Sequence, residues 1–187
     1  MNSRRMKPLT PLLLLTLLTL GACAQISNPR FLVSAYKEPE SGDRARLRTV
    51  TGGVVRLIPN RACHDEYAGG GIVANNAFTG LSDSHLNGQK LGMSGDATAK
   101  YQAVSEVYIP AGQPIDVSFM SQQGAGKQAT AAVDTFVCNT DWTFVPEANK
   151  DYETRSYQDG KMCYLAVTTL EGILIGQPAL KGPCPAP

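Results

Sequence analysis

The chain has 187 residues, 17 basic against 16 acidic, a formal charge of +1 and 43% hydrophobic residues. This near balance removes the electrostatic footprint of a nucleic-acid binder and gives no ground for steering toward acidic partners. The length suits one domain with a sizeable core.

The first element in chain order is an export signal. Residues 1–7 carry Arg4, Arg5 and Lys7, residues 9–20 are almost wholly Leu and Thr, and Leu20-Gly21-Ala22 precede Cys23. A basic segment, an apolar run and small residues before a cysteine resemble a bacterial lipoprotein signal. The resemblance implies removal of residues 1–22 and lipidation of Cys23, with palmitate-type chains holding the protein at a membrane. The apolar run falls short of the roughly 20 residues a spanning helix needs. Ala24, rather than Asp, follows the cysteine. By the same resemblance, that favours the periplasmic face of the outer membrane over retention at the inner one. Removing residues 1–22 takes three basic residues and no acidic ones, so 165 residues remain with 14 basic against 16 acidic, a charge of −2.

Residues 23–43 read as a lipidated flexible tether, polar and interrupted by Pro29, Pro39 and Gly42, with residues 31–35 able to dock on the folded domain. That domain spans residues 44–187. Residues 45–50 alternate apolar and polar, the period of a half-buried strand, and residues 54–58 make a second strand. Gly52-Gly53 between them predicts a hairpin. Residues 67–100 are a Gly/Asn-rich insertion with short strands expected at 71–73 and 90–93, and a contact surface is expected there because loops on a rigid scaffold carry recognition. Strand character resumes at 101–109, turns at Pro110-Ala111-Gly112-Gln113 and runs back antiparallel over 114–120. A polar loop, 121–130, leads to strands at 131–138 and, separately, 142–145. Residues 152–157 and 162–170 form a hairpin around Gln158-Asp159-Gly160, its second arm apolar enough for a central strand. No segment shows a period of 3.6, and short strands with Gly/Pro turns predict an all-β fold, a single antiparallel β-sandwich.

Four cysteines remain after the signal: Cys63, Cys138, Cys163 and Cys184. An even number in an exported chain predicts two disulfides. Three connectivities are open, and Cys138–Cys163 with Cys63–Cys184 is favoured because the first closes a local unit. No CxxC couple of a zinc site occurs.

Motifs for chemistry are thin. His64 in Cys63-His64-Asp65-Glu66-Tyr67 and His85 in Asp83-Ser84-His85 could be joined into a metal or hydrolytic site, yet no HExxH spacing sets two ligands on one face. Gly92-Met93-Ser94-Gly95 falls short of a nucleophile elbow, and Gly124-Ala125-Gly126-Lys127 lacks the first glycine and the final Ser or Thr of a phosphate loop. Asp134, Asp141, Glu147, Asp151, Glu153 and Asp159 are scattered where most face solvent, and Trp142, four residues after Cys138, reads as core packing.

Ala45-Arg46-Leu47-Arg48, the run from Glu106 to Pro114 (Glu-Val-Tyr-Ile-Pro-Ala-Gly-Gln-Pro), Cys138 with Phe144-Val145-Pro146-Glu147, Tyr152-Glu153 and Cys163 together resemble small proteobacterial outer-membrane lipoproteins. The resemblance covers most of residues 44–170 and implies a disulfide-braced β domain, with no catalytic residues to carry over. The expectation is a non-enzymatic, periplasm-facing binding or accessory module. It meets the membrane through its lipid and a protein partner in the envelope, without nucleic acid, cofactor, metal or catalytic residue. The alternative is a small periplasmic hydrolase using His64 or His85 with a nearby carboxylate.

Overall fold

A computed structural model describes residues 33–65, 70–76, 86–95, 97, 102–123, 136–180 and 184. These are essentially all-β, in nine strands: β1 Arg44–Thr51, β2 Val54–Pro59, β3 Gly71–Asn75, β4 Ala103–Pro110, β5 Ile115–Gln123, β6 Phe136–Phe144, β7 Asp151–Asp159, β8 Met162–Thr169 and β9 Gln177–Pro178. They build two sheets, in the orders β4-β1-β7-β8 and β3-β2-β5-β6-β9. Leu47, Val107, Ile109, Tyr152 and Val167 of the first sheet and Val55, Leu57, Ile115, Val117, Phe119 and Phe144 of the second close one core. Phe144 and Tyr152 meet edge-to-face across it at 5.2 Å. Among the described residues no helix is long and apolar enough to cross a membrane.

Strand positions follow the alternation of the sequence, but the pairing does not follow chain order. β1 and β2 do not form the expected hairpin. β1 pairs with β4 and β7, whereas β2 pairs with β3 and β5. Gly52-Gly53 is instead a corner that carries the chain from one sheet to the other. A Cβ on Gly53 would lie 2.5 Å from the Met120 carbonyl oxygen and 2.7 Å from the Phe119 ring, so the corner closes only around glycine. Likewise β4 and β5, expected to run back on each other, belong to different sheets. The antiparallel expectation holds for the other strand pairs, but β1 and β7 run parallel.

Three more expectations change. β6 is continuous through Asn139-Thr140-Asp141, because every residue from Phe136 to Phe144 finds a rung on β5. The apolar β8 lies at the end of its sheet, not in the centre. Its outer edge is covered by residues 173–175, through Thr169 N–H to Ile173 O and Ile175 N–H to Val167 O, both 2.9 Å. Residues 90–93 are not a strand. The β7–β8 hairpin forms as expected, with Gly160 at φ +57° in a two-residue loop flanked by the Asp159–Met162 pair. Part of the expected tether also docks. Tyr36 is buried, and its N–H donates to Ile72 O at 2.9 Å. That approach is so close that a Cβ on Gly71 would run into the backbone of Ala35 and Tyr36.

Both favoured disulfides are present, Cys63–Cys184 and Cys138–Cys163. The second ties β6 of one sheet to β8 of the other.

Candidate functional site

Alternation along β5 sends Ile115, Val117 and Phe119 into the core and Asp116 and Ser118 to the opposite face. On β6 the same alternation places Thr143 opposite Asp116 and Asp141 opposite Ser118. This outer face is nevertheless buried: Asp116 is fully inaccessible, and Arg56, Ser118 and Thr143 are nearly so. Residues 61–65 lie against it. Arg61 N–H donates to Pro114 O, Cys63 bridges to Leu180, and the Cys63–Cys184 bond fastens the loop to the C-terminal segment.

This clamped loop delivers His64. Its Nδ1 stands 3.0 Å from Asp141 Oδ1 and 3.5 Å from Asp116 Oδ2. One nitrogen and one oxygen from each carboxylate lie within 4.8 Å of one another, the arrangement of a metal-ligating group. The two aspartates, Asp116 first and then Asp141, push the His64 imidazole up to about 10 against the opposing effect of burial. Burial raises Asp116, and His64 offsets this only in part. Apart from His64, neither oxygen of Asp116 nor Oδ1 of Asp141 has a partner.

The sequence pointed to His64 and to Asp141 separately and passed over Asp116. The available signal was a carboxylate within an apolar strand, Ile115-Asp116-Val117. Asp65 turns away to Arg61, at 3.1 Å. Cys23, Glu66, His85, Gly124 to Lys127 and Asp134 lie outside the described residues.

A second polar cluster covers the outer face of the other sheet. Arg48 on β1 sits between Glu106 on β4 and Glu153 on β7, at 2.9 and 3.4 Å. Arg48 also donates to Met93 O at 3.0 Å, while Glu106 Oε2 accepts from Leu91 N–H at 2.6 Å. Below it, Arg46 holds Asp151 through two 2.7 Å bonds and reaches Leu91 O. Residues 89–95 are thus stapled down by side chains, with Met93 buried, and β3 is an integral strand of its sheet. These described parts of residues 67–100 are scaffold and do not supply the expected free contact loop.

A largely polar cleft of about 390 Å³ opens beside the start of β7, lined by Glu147, Lys150, Asp151 and Glu171 with Val145, Tyr152, Leu170 and Ile175 among them. The same C-terminal loop exposes Ile173 and Leu174, at 62% and 58%. Trp142 packs against the core and donates to Ile175 O at 2.8 Å, fixing one wall. Comparison with family models, curated proteins and solved structures found no match for the chain.

Proposed function

We propose that this protein is a lipid-anchored β-sandwich of the cell envelope, held by Cys23 at the periplasmic face of the outer membrane, that binds a protein partner and catalyses no reaction. Two disulfides bracing one small domain support the export part of this reading, since such bonds persist in oxidising compartments. The observation that carries the binding part is the exposed apolar trio Val145, Ile173 and Leu174 beside a largely polar cleft, apolar side chains rimmed by polar ones as at interaction sites.

The second reading, a small hydrolase, draws on the approach of His64 to Asp116 and Asp141. The facing atoms, His64 Nδ1, Asp116 Oδ2 and Asp141 Oδ1, are all shielded from solvent and so closed to a substrate, which ranks hydrolysis below binding.

The test is metabolic labelling with an alkyne fatty acid, combined with in-cell photo-crosslinking from positions 173 and 174. Label lost in Cys23→Ala and one dominant protein adduct are expected. Scattered background adducts alone would overturn the binding reading, and label retained in the variant would overturn the anchor.

A further inference from the structure

Asp116 is the least comfortable group in the molecule. It is a fully inaccessible carboxylate on a sheet face, and apart from the His64 imidazole at 3.5 Å neither of its oxygens has a partner. Buried charges are normally paired, hydrogen-bonded or bound to metal, because desolvation without compensation costs several kcal/mol. Among the described residues, His64 is the one basic side chain within ion-pairing distance of Asp116 or Asp141, so one imidazole faces two carboxylates. Thr143, directly across the ladder from Asp116, also leaves its buried hydroxyl without a partner.

We propose that His64 Nδ1, Asp116 and Asp141 form a binding site for a divalent transition-metal ion of the zinc class. With metal–ligand bonds of about 2.0–2.1 Å, two ligands of a tetrahedral ion lie about 3.3 Å apart. The two histidine–carboxylate distances, 3.0 and 3.5 Å, bracket that edge. The imidazole donor selects zinc or a neighbouring transition metal over calcium and magnesium, which prefer all-oxygen shells. His64 and Asp141 are each about a quarter exposed overall, 26% and 24%, but His64 Nδ1, Asp116 Oδ2 and Asp141 Oδ1 are shielded from solvent, so the donor atoms face one another rather than water. The ion would supply the charge compensation that Asp116 lacks and tie the disulfide-clamped loop to β5 and β6.

The test uses the full lipidated chain purified in detergent and stripped with chelator, titrated calorimetrically with zinc sulfate and separately with calcium chloride, with thermal unfolding followed alongside. One zinc per chain, a raised melting temperature and no comparable calcium effect are expected. Asp141→Asn, isosteric and less buried than Asp116, should fold normally and lose at least about tenfold in zinc affinity, the lower end for disturbing a metal's ligand environment. His64→Gln should behave likewise. Absence of saturable zinc binding, or zinc binding that both Asp141→Asn and His64→Gln leave unchanged, would overturn the site.

Discussion

Arg48 and Glu106 are both almost fully buried, and the fold can hold them only because each completes the other's shell. Burial alone would raise the Glu106 carboxyl, but the Leu91 N–H, the Arg48 guanidinium and the Met93 N–H together hold it below the usual carboxylate range. Breaking such a pair from one side strands a charge, at about 3–5 kcal/mol, whereas replacing both members by apolar residues is often neutral. Arg48→Met is therefore expected to destabilise by about 3 kcal/mol or more in urea melts, with much of that recovered in the Arg48→Met, Glu106→Leu double variant. Glu106 also sets a pH dependence. Because its folded pKa is depressed, its contribution is complete above the unfolded value of about 4.3 and is lost as pH falls through the folded value. The stability difference between wild type and Glu106→Gln should be constant near neutral pH and shrink below about pH 4. A difference that grows with acid would show that the pair is not the source.

Connections between sheets define the element scale. The Gly52-Gly53 corner passes Gly53 against β5, so Gly53→Ala must displace backbone or the Phe119 ring. Overpacking of this kind costs about 1–3 kcal/mol. Gly52 meets nothing closer than 3.9 Å, and Gly52→Ala should stay within about 0.5 kcal/mol of wild type. Equal effects of the two substitutions in denaturant melts would contradict the corner. The strands at this scale were legible because alternation writes itself into sequence: Leu47, Val107 and Val117 mark core faces without reference to any partner. Pairing was not legible, because Gly-Gly and Pro-Ala-Gly-Gln chemistry makes a turn equally well within a sheet or between two. The candidate site was half legible. His64 stood out as a chemically able residue, while Asp116 was passed over, because alternation turns it away from the core and only the distant loop that covers that face buries it.

Across the whole molecule, the disulfides differ in reach. Cys138–Cys163 closes 25 residues of sequence and Cys63–Cys184 closes 121. The chain-entropy model gives the longer loop the larger stabilisation, about 5 kcal/mol against about 3.5 kcal/mol, with measured values commonly lower. Cys184 Sγ also lies 3.5 Å from His64 O, so this bond holds the histidine loop as well as the tail. Replacing Cys63 and Cys184 together by Ala is expected to lower the urea midpoint and to weaken zinc binding. Removing Cys138 and Cys163 should lower stability with a smaller effect on zinc. Zinc affinity indifferent to the Cys63–Cys184 bond would separate the two features.

Sequence by itself determined where most strands run, that the chain is β in character, which hairpin closes around Gly160, and which disulfide connectivity to favour. Those properties depend on side-chain alternation, turn chemistry and cysteine spacing, all local along the chain. Only the tertiary structure decided which strands share a sheet, that β1 and β7 run parallel, and that loops bury the outer faces. It alone brought His64, Asp116 and Asp141 together from a loop and two strands. A strand's alternation says which residues share a face, but the cover over that face comes from chain far away in sequence, and that cover decides whether a carboxylate is solvated or becomes a ligand.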